Sequence, residues 1–177
     1  NTMPAPYYRF DGVDDYISMS SPADLDNIFD NGGSLEAWIH PSSDGESNNG
    51  VIIGKYAGHY WQTVQDDGTN CKIQFTKDLG TTNGRWITGL VVPLEKWSHI
   101  VVAYTSGNVA NDAVIYVNGV SVTVTESSIP NGTFTSDAGA TFVVGSLTTS
   151  GDWAFDGDIS GIQAWNKVLT ATEVKEL

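Results

Sequence analysis

A single cysteine, Cys71, stands in the chain. No disulfide can form within it, no cysteine-paired zinc site can be built, and redox state does not set its compartment. Cys71 opens the alternating run CKIQF, where a small structural thiol is the ordinary role, and no His–Asp arrangement accompanies it to make a nucleophile. Basic side chains are scarce too: eight Lys and Arg stand against 21 Asp and Glu, a net charge of −13. Phosphate backbones need a Lys/Arg surface, so the composition argues against a nucleic-acid partner, and against adsorption to anionic lipid on the same ground. No apolar run approaches the length that spans a bilayer. No signal-peptide pattern heads the chain, and the opening NTMPAPYYRF suggests an excised or mature segment of a longer protein. Stretches that favour helix are few.

What is present points one way. Hydrophobic residues make up 40% of 177, enough for the core of one domain over 1–177. Nineteen glycines, with many Asn, Asp, Ser and Thr, predict many turns. Period-two alternation recurs. SLEAWIHP (34–41) puts Leu35, Ala37 and Ile39 on one face and Glu36, Trp38 and His40 on the other. Further strands are expected in GVIIGKY (50–56), CKIQFTKD (71–78), RWITGLVV (85–92), ATFVVGS (140–146) and FDGDISGIQAWN (155–166), with KWSHIVVAYT (96–105) central. In AVIYVNGVSVTVT (113–125) two β-branched runs meet at Asn118–Gly119, the pair that suits a type I′ hairpin turn. LTATEVKEL ends the chain with a T-x-x-E capping box at Thr170 and Glu173, and Leu169 is placed to staple onto Val174. About ten short strands and one short C-terminal helix imply an all-β fold, a two-sheet antiparallel β-sandwich or jelly roll.

The order of YYRFDGVDDYISM, SLEAWIHP, PLEKWSHIVVAY, YVNG, FVVGS and FDGDISGIQAWNKVLTATEV resembles the laminin-G-like jelly rolls of the concanavalin-A-like superfamily, with a pentraxin-related C-terminal pattern, over residues 8 to 177. The resemblance implies two stacked, curved antiparallel sheets and a module that binds glycans or proteins, often with calcium. It assigns Phe10, Trp38, Trp97, Ile100, Tyr116, Phe155, Trp165 and Leu169 to packing positions, Gly12, Gly119 and Gly157 to turns, and His99 to a structural strand position.

The superfamily's glucanases carry E-x-D-x-x-E or E-x-D-x-E on one strand, where alternation lets one carboxylate attack and another protonate. No such run exists here. Neither G-x-S-x-G nor H-E-x-x-H is present, and the chain reads as not an enzyme. The pentraxin calcium site does not carry over either, because VVGSLTTSG has no carboxylate until Asp152. A different calcium site is expected where the first strand meets the last, with Asp11, Asp15, Asp156 and Asp158 as ligands and Asp14 mostly in solvent. Calcium takes six to eight oxygens from carboxylates, carbonyls and water. Each Asp equally suits a turn, bonding its own backbone.

Trp61, Trp86 and Trp153 have no packing role in the family pattern and lie beside glycines. With Tyr60, Gln62 and Arg85 they form the candidate glycan site, since sugar C–H faces stack on aromatic rings while polar neighbours orient hydroxyls. The equally plain alternative has these tryptophans covering loops or the ends of the sandwich. The sequence thus leads to a non-catalytic carbohydrate-binding or adhesion module stabilised by structural calcium, located outside the cell, on a cell surface or on a virion. The alternative is a structural or protein-interaction domain of a larger assembly, such as an adhesin or phage tail protein, with no sugar bound. A domain that merely spaces a separate catalytic domain is the third.

Overall fold

The computed structural model describes residues 6–56 and 58–177. The opening NTMPA, which the sequence reads as the head of an excised or mature segment, lies outside them. The described residues form β1 (Tyr8–Asp11), β2 (Ile17–Ser18), β3 (Gly33–Pro41), β4 (Asn49–Lys55), β5 (His59–Val64), β6 (Asn70–Lys77), β7 (Gly84–Thr88), β8 (Val92–Pro93), β9 (Ser98–Tyr104), β10 (Val114–Val117), β11 (Val120–Val122), β12 (Val124–Ser128), β13 (Val143–Val144) and β14 (Asp156–Trp165). Helix α1 (Ala171–Glu176) follows. Fourteen strands replace the expected ten because turns cut the longer apolar runs. RWITGLVV stops at Thr88, and its Val92 pairs separately as part of β8. ATFVVGS keeps only two ladder residues.

Two antiparallel sheets stack as a jelly roll. One runs β1-β14-β3-β9-β10-β11; the other runs β12-β7-β6-β5-β4-β13-β2, with β8 beside β6. The first and last strands are neighbours, and Asp11 sits opposite Asp156. Between the sheets lies one core that includes Phe10, Leu35, Ala37, Ile39, Trp61, Ile73, Phe75, Trp86, Ile100, Tyr104 and Phe155. Phe75 stacks on Trp86 at 5.9 Å, and Trp86 meets Tyr104 at 4.9 Å. Such aromatic pairs contribute about 0.5–1.5 kcal/mol each beyond their burial.

The outer face of the six-stranded sheet is covered at one end by α1. Leu169 and Val174 pack on Val101, Ala103 and Tyr116. This cover is why β3 is buried along nearly its whole length instead of alternating with solvent. Under it, Glu36 accepts hydrogen bonds from Gln163 Nε2 (2.9 Å) and Trp165 Nε1 (3.1 Å). His99 stacks on Trp38 at 5.1 Å.

Two family assignments need correction. Trp97 is only half-buried. It lies just before β9, two positions from the outward-facing His99, and meets His40 and Tyr7 (5.5 and 5.7 Å) rather than the core. Gly157 is not in a turn but inside β14, at φ +137°, where a Cβ would lie 2.2 Å from the His40 carbonyl oxygen. Close backbone approach, not chain reversal, demands glycine there.

Candidate functional site

Alternation along β5 sorts the aromatic candidates. Its register sets Trp61 opposite Phe75 and Tyr60 opposite Thr76. Phe75 belongs to the core, so Trp61 points inward and Tyr60 outward. The same holds one strand pair along: Trp86 faces Phe75, and Arg85 faces Thr76. Trp61 is 1% exposed and Trp86 0%. The indole N–H of Trp86 donates to Asp112 Oδ1 at 2.8 Å. Neither ring can stack on a sugar, and both leave the candidate set. The physical reason is the pleat: Tyr60-Trp61-Gln62 cannot share one face, and neither can Arg85-Trp86.

The four that remain gather on the outer face of the eight-stranded sheet or at its margin. Arg85, Thr76, Tyr60 and Gly54 form one cross-strand row, and Ile87, Gln74 and Gln62 form the next. Trp153 reaches the same area from the loop before β14. Its carbonyl accepts from Val51 N at 2.8 Å, and its ring meets Tyr60 at 5.9 Å and 61°. The two rings make a corner, not a flat platform. Trp153 has φ +56°, a left-handed conformation uncommon for a bulky residue. Beside Tyr60 a hollow of about 160 Å³ is lined by Tyr56, Gly58, His59, Asp78 and Asn83.

Polar groups on this face lack partners. Thr76 is 0% exposed and its hydroxyl has no hydrogen bond. Gln62 is 1% exposed; its Nε2 donates to Asn49 Oδ1 at 2.6 Å, while its Oε1 has no partner. Sequence reasoning missed Tyr56, Gln74, Thr76, Asp78 and Asn83. The strand members Gln74 and Thr76 follow once the register is known, as the residues opposite Gln62 and Tyr60.

At the junction of first and last strands, Asp11, Asp14 and Asp15 place one carboxylate oxygen each within 4.8 Å of one another, all three exposed. Asp11 Oδ1 accepts from Val13 N (2.9 Å), and Asp15 Oδ2 accepts from Asp11 N (3.1 Å). Gly12 allows the turn at φ +74°, where a Cβ would lie 2.9 Å from the Asp156 Cβ. Among the described residues this is the acidic group with metal-like spacing, and it differs from the expected one. Asp14 joins it. Asp156 instead accepts from Ser43 Oγ at 2.8 Å, and Asp158 pairs across the ladder with Arg9 and His40. Both bonded oxygens leave free lone pairs, and a hard, oxygen-only donor set suits calcium. Two unit charges about 4 Å apart repel by about 1 kcal/mol even in bulk water.

A buried polar knot behind the hollow had no counterpart in the sequence reading. Lys55 Nζ donates to Asp137 Oδ1 (2.8 Å), Asp26 Oδ1 (2.5 Å) and the Leu25 carbonyl (2.9 Å). His59 Nδ1 lies 3.2 Å from Asp137 Oδ2. Lys77 donates to the Gly58 carbonyl at 3.0 Å and lies over the Phe134 ring. Burial pushes the His59 imidazole down and the Lys77 ammonium down to about 8. Burial alone would raise the Asp137 carboxyl, but His59, the Asn27 amide and Lys55 together hold it well below the usual carboxylate range. The knot pins the 134–137 segment and the 25–27 turn to β4, β5 and β6.

No curated protein sequence matches the chain. Solved structures share its fold. A heptameric SAP-like pentraxin from Limulus polyphemus is 14% identical, with 96% of this chain and 79% of that one covered at a TM-score of 0.69. A putative carbohydrate binding protein from Bacteroides ovatus is 19% identical at TM-score 0.62; 95% of this chain is covered but only 45% of that one. The CBM40 domain of the Ruminococcus gnavus IT-sialidase, solved bound to α2,3 sialyllactose, is 9% identical at TM-score 0.62, with 97% of each chain covered. The profile of the Concanavalin A-like lectin/glucanases superfamily, in its laminin-G form, matches residues 11–175. With a jelly roll of two antiparallel sheets and a match over nearly its whole length, the chain belongs to the concanavalin A-like lectin/glucanases superfamily.

Proposed function

We propose that the domain is a non-catalytic glycan-binding or adhesion module acting outside the cell or on a cell or virion surface, and that its ligand lies on the outer face of the eight-stranded sheet. The Tyr60–Trp153 corner carries this reading. Two rings at 61° beside a hollow of sugar size hold one ring of a glycan and turn the next away. Half-buried Gln74 and exposed Arg85 on the same face offer bonds to hydroxyls. The carbohydrate-binding neighbours support the reading by analogy of fold, and function sits in the site, not the sandwich. Calcium at Asp11, Asp14 and Asp15 has a structural part here, fixing the turn that follows the first strand.

A glycan array with and without chelator, followed by titration of the best hit, tests this. Tyr60→Ala and Trp153→Ala are each expected to weaken binding at least tenfold with the circular dichroism spectrum unchanged. Full affinity in both variants would sink the proposed face.

One observation favours a protein-interaction role instead. Tyr8, Phe10, Ile17, Met19, Val144 and Ile162 line an apolar groove of about 200 Å³ where the two sheets part. Tyr8 is 62% exposed there, beside the free edge of β1. Self-association that Tyr8→Glu abolishes, together with an empty glycan array, would favour that second reading.

A further inference from the structure

We infer that the hollow beside Tyr60 selects a neutral sugar, and that Asp78 reads it by accepting hydrogen bonds from its hydroxyls, with Asn83 alongside; the inference rests on the glycan reading above. The β6–β7 hairpin places these two residues. Lys77 sits opposite Gly84, and the register carried one step further sets Asp78 against Asn83. The Asp78 amide donates to the Gly58 carbonyl at 2.8 Å, which extends the same row to the start of β5. Asp78 and Asn83 both line the hollow, together with Tyr56 and Tyr60. Directly opposed residues keep their Cβ atoms about 4.5–5.5 Å apart, and diagonal neighbours about 7–8 Å. Asp78 and Asn83 are an opposed pair, and Tyr60, which faces Thr76, is diagonal to Asp78. A pyranose ring spans that diagonal. Its flat side lies against Tyr60 while the hydroxyls on its rim reach Asp78 and Asn83.

The chemistry of the lining sets the class of sugar. Of the residues that line the hollow, Asp78 alone carries a charge, since burial holds the His59 ring neutral. Asp78 Oδ1 accepts from Gly80 N at 2.8 Å, which fixes the carboxylate and leaves Oδ2 for a ligand. An ionised carboxylate only accepts, so the group it reads must donate. Sugar hydroxyls donate, and a hydrogen bond to an ionised oxygen is about twice as strong as one between neutral groups. A sugar carboxylate has no hydrogen to give at neutral pH. It would also meet like charge in the hollow, on a protein of net charge −13. The Asn83 amide both donates and accepts, so it takes a neighbouring hydroxyl in either sense. Arg85, one row along β7, lies outside this lining. Asp78 is therefore a specificity residue, while stacking on Tyr60 and Trp153 serves any sugar.

An ammonium would satisfy the same carboxylate through charge instead of direction. Salt separates the two cases, because it screens an exposed charge pair and leaves a hydroxyl bond largely intact.

Matched disaccharides test this by calorimetry: galactobiose against digalacturonic acid, cellobiose against cellobiouronic acid, and N,N′-diacetylchitobiose against the glucosamine dimer. At least one neutral sugar is expected to bind, and to bind tenfold or more tighter than its charged partner. Asp78→Asn keeps the shape and removes the charge; it should weaken the neutral sugar about tenfold and narrow the gap to the acidic one. The pairs on the unaltered protein decide the class whether or not the variant folds. An acidic sugar binding as tightly as its neutral parent would overturn the inference, as would a folded Asp78→Asn with neutral affinity unchanged. So would the glucosamine dimer binding tightest in a manner that salt abolishes. In each of these cases a loss of binding in Tyr60→Ala leaves the glycan reading standing. Binding of none of the six, or binding that Tyr60→Ala leaves untouched, would overturn both.

Discussion

Asp137 shows how much one buried carboxylate organises. It accepts from Lys55 and from the Asn27 amide and faces the His59 ring. Removing one partner of a buried ion pair costs about 3–5 kcal/mol, because the other charge is left uncompensated. Asp137→Ala is expected to lose stability in that range, read from the urea midpoint. The same knot sets a pH dependence. The His59 pKa is lowered by burial, so the native ring stays neutral where the unfolded imidazole, with an ordinary value of about 6.5, takes a proton. The unfolded state then binds more protons, and stability falls as pH drops below about 6.5. The Asp137 pKa is depressed, so its contribution is present above the ordinary carboxylate value and is lost as pH falls below about 4. Lys77, lowered to about 8, works at the other end: stability rises between about pH 8 and 10.5. Urea midpoints from pH 3 to 10.5 check all three. His59→Gln should remove the limb below 6.5, and Lys77→Met the alkaline rise; unchanged curves in both would refute the assignment.

At the scale of elements, the local signals held where they closed on themselves. Asn118 and Gly119 take φ +50° and +78°, joining β10 to β11 as the Asn-Gly pair predicts. The Thr170 hydroxyl accepts from Glu173 N, and the Glu173 carboxylate accepts from Thr170 N at 2.8 Å, a complete capping box. Bonds from Lys167 and from Thr170 hold the Glu173 carboxyl down at about 2. Thr170→Ala is expected to cost about 1 kcal/mol. It should also loosen the cover that Val174 provides over Tyr116, seen as faster amide exchange in β10. Gly145 is a harsher case. At φ +83°, any Cβ there would lie 2.1 Å from the Phe10 ring. Gly145→Ala should push Phe10 out of the core and lower the melting temperature by more than the capping change does.

Across the whole molecule, β1 and β14 bring the two ends of the chain together, and the three aspartates lie at that seam. A cation there would hold the turn after β1 by relieving their repulsion. Calcium is expected to raise the melting temperature, and Asp11→Ala to abolish the gain. An identical melting curve in calcium and in chelator would remove the ion from the account.

The sequence by itself determined the sandwich. Alternating runs, the Asn-Gly turn, the capping box and the family pattern are local or ordered along the chain, and each specifies its element without knowing its neighbours. It also placed β1 beside the final strand and put Asp11 and Asp15 at that seam. Tertiary structure alone decided which side of each strand faces the core. Tyr60 and Trp61 are equally aromatic, and so are Trp86 and Trp153; only the register of β5 and β7 against β6 buries Trp61 and Trp86 and turns Tyr60 outward, while the loop before β14 sets Trp153 beside it. A period of two fixes that neighbours differ, not which one is inside. The knot around Asp137 was hidden for a related reason. Its members, from Asp26 to Asp137, are far apart in sequence and unremarkable one by one, and burying them is favourable only when all of them meet.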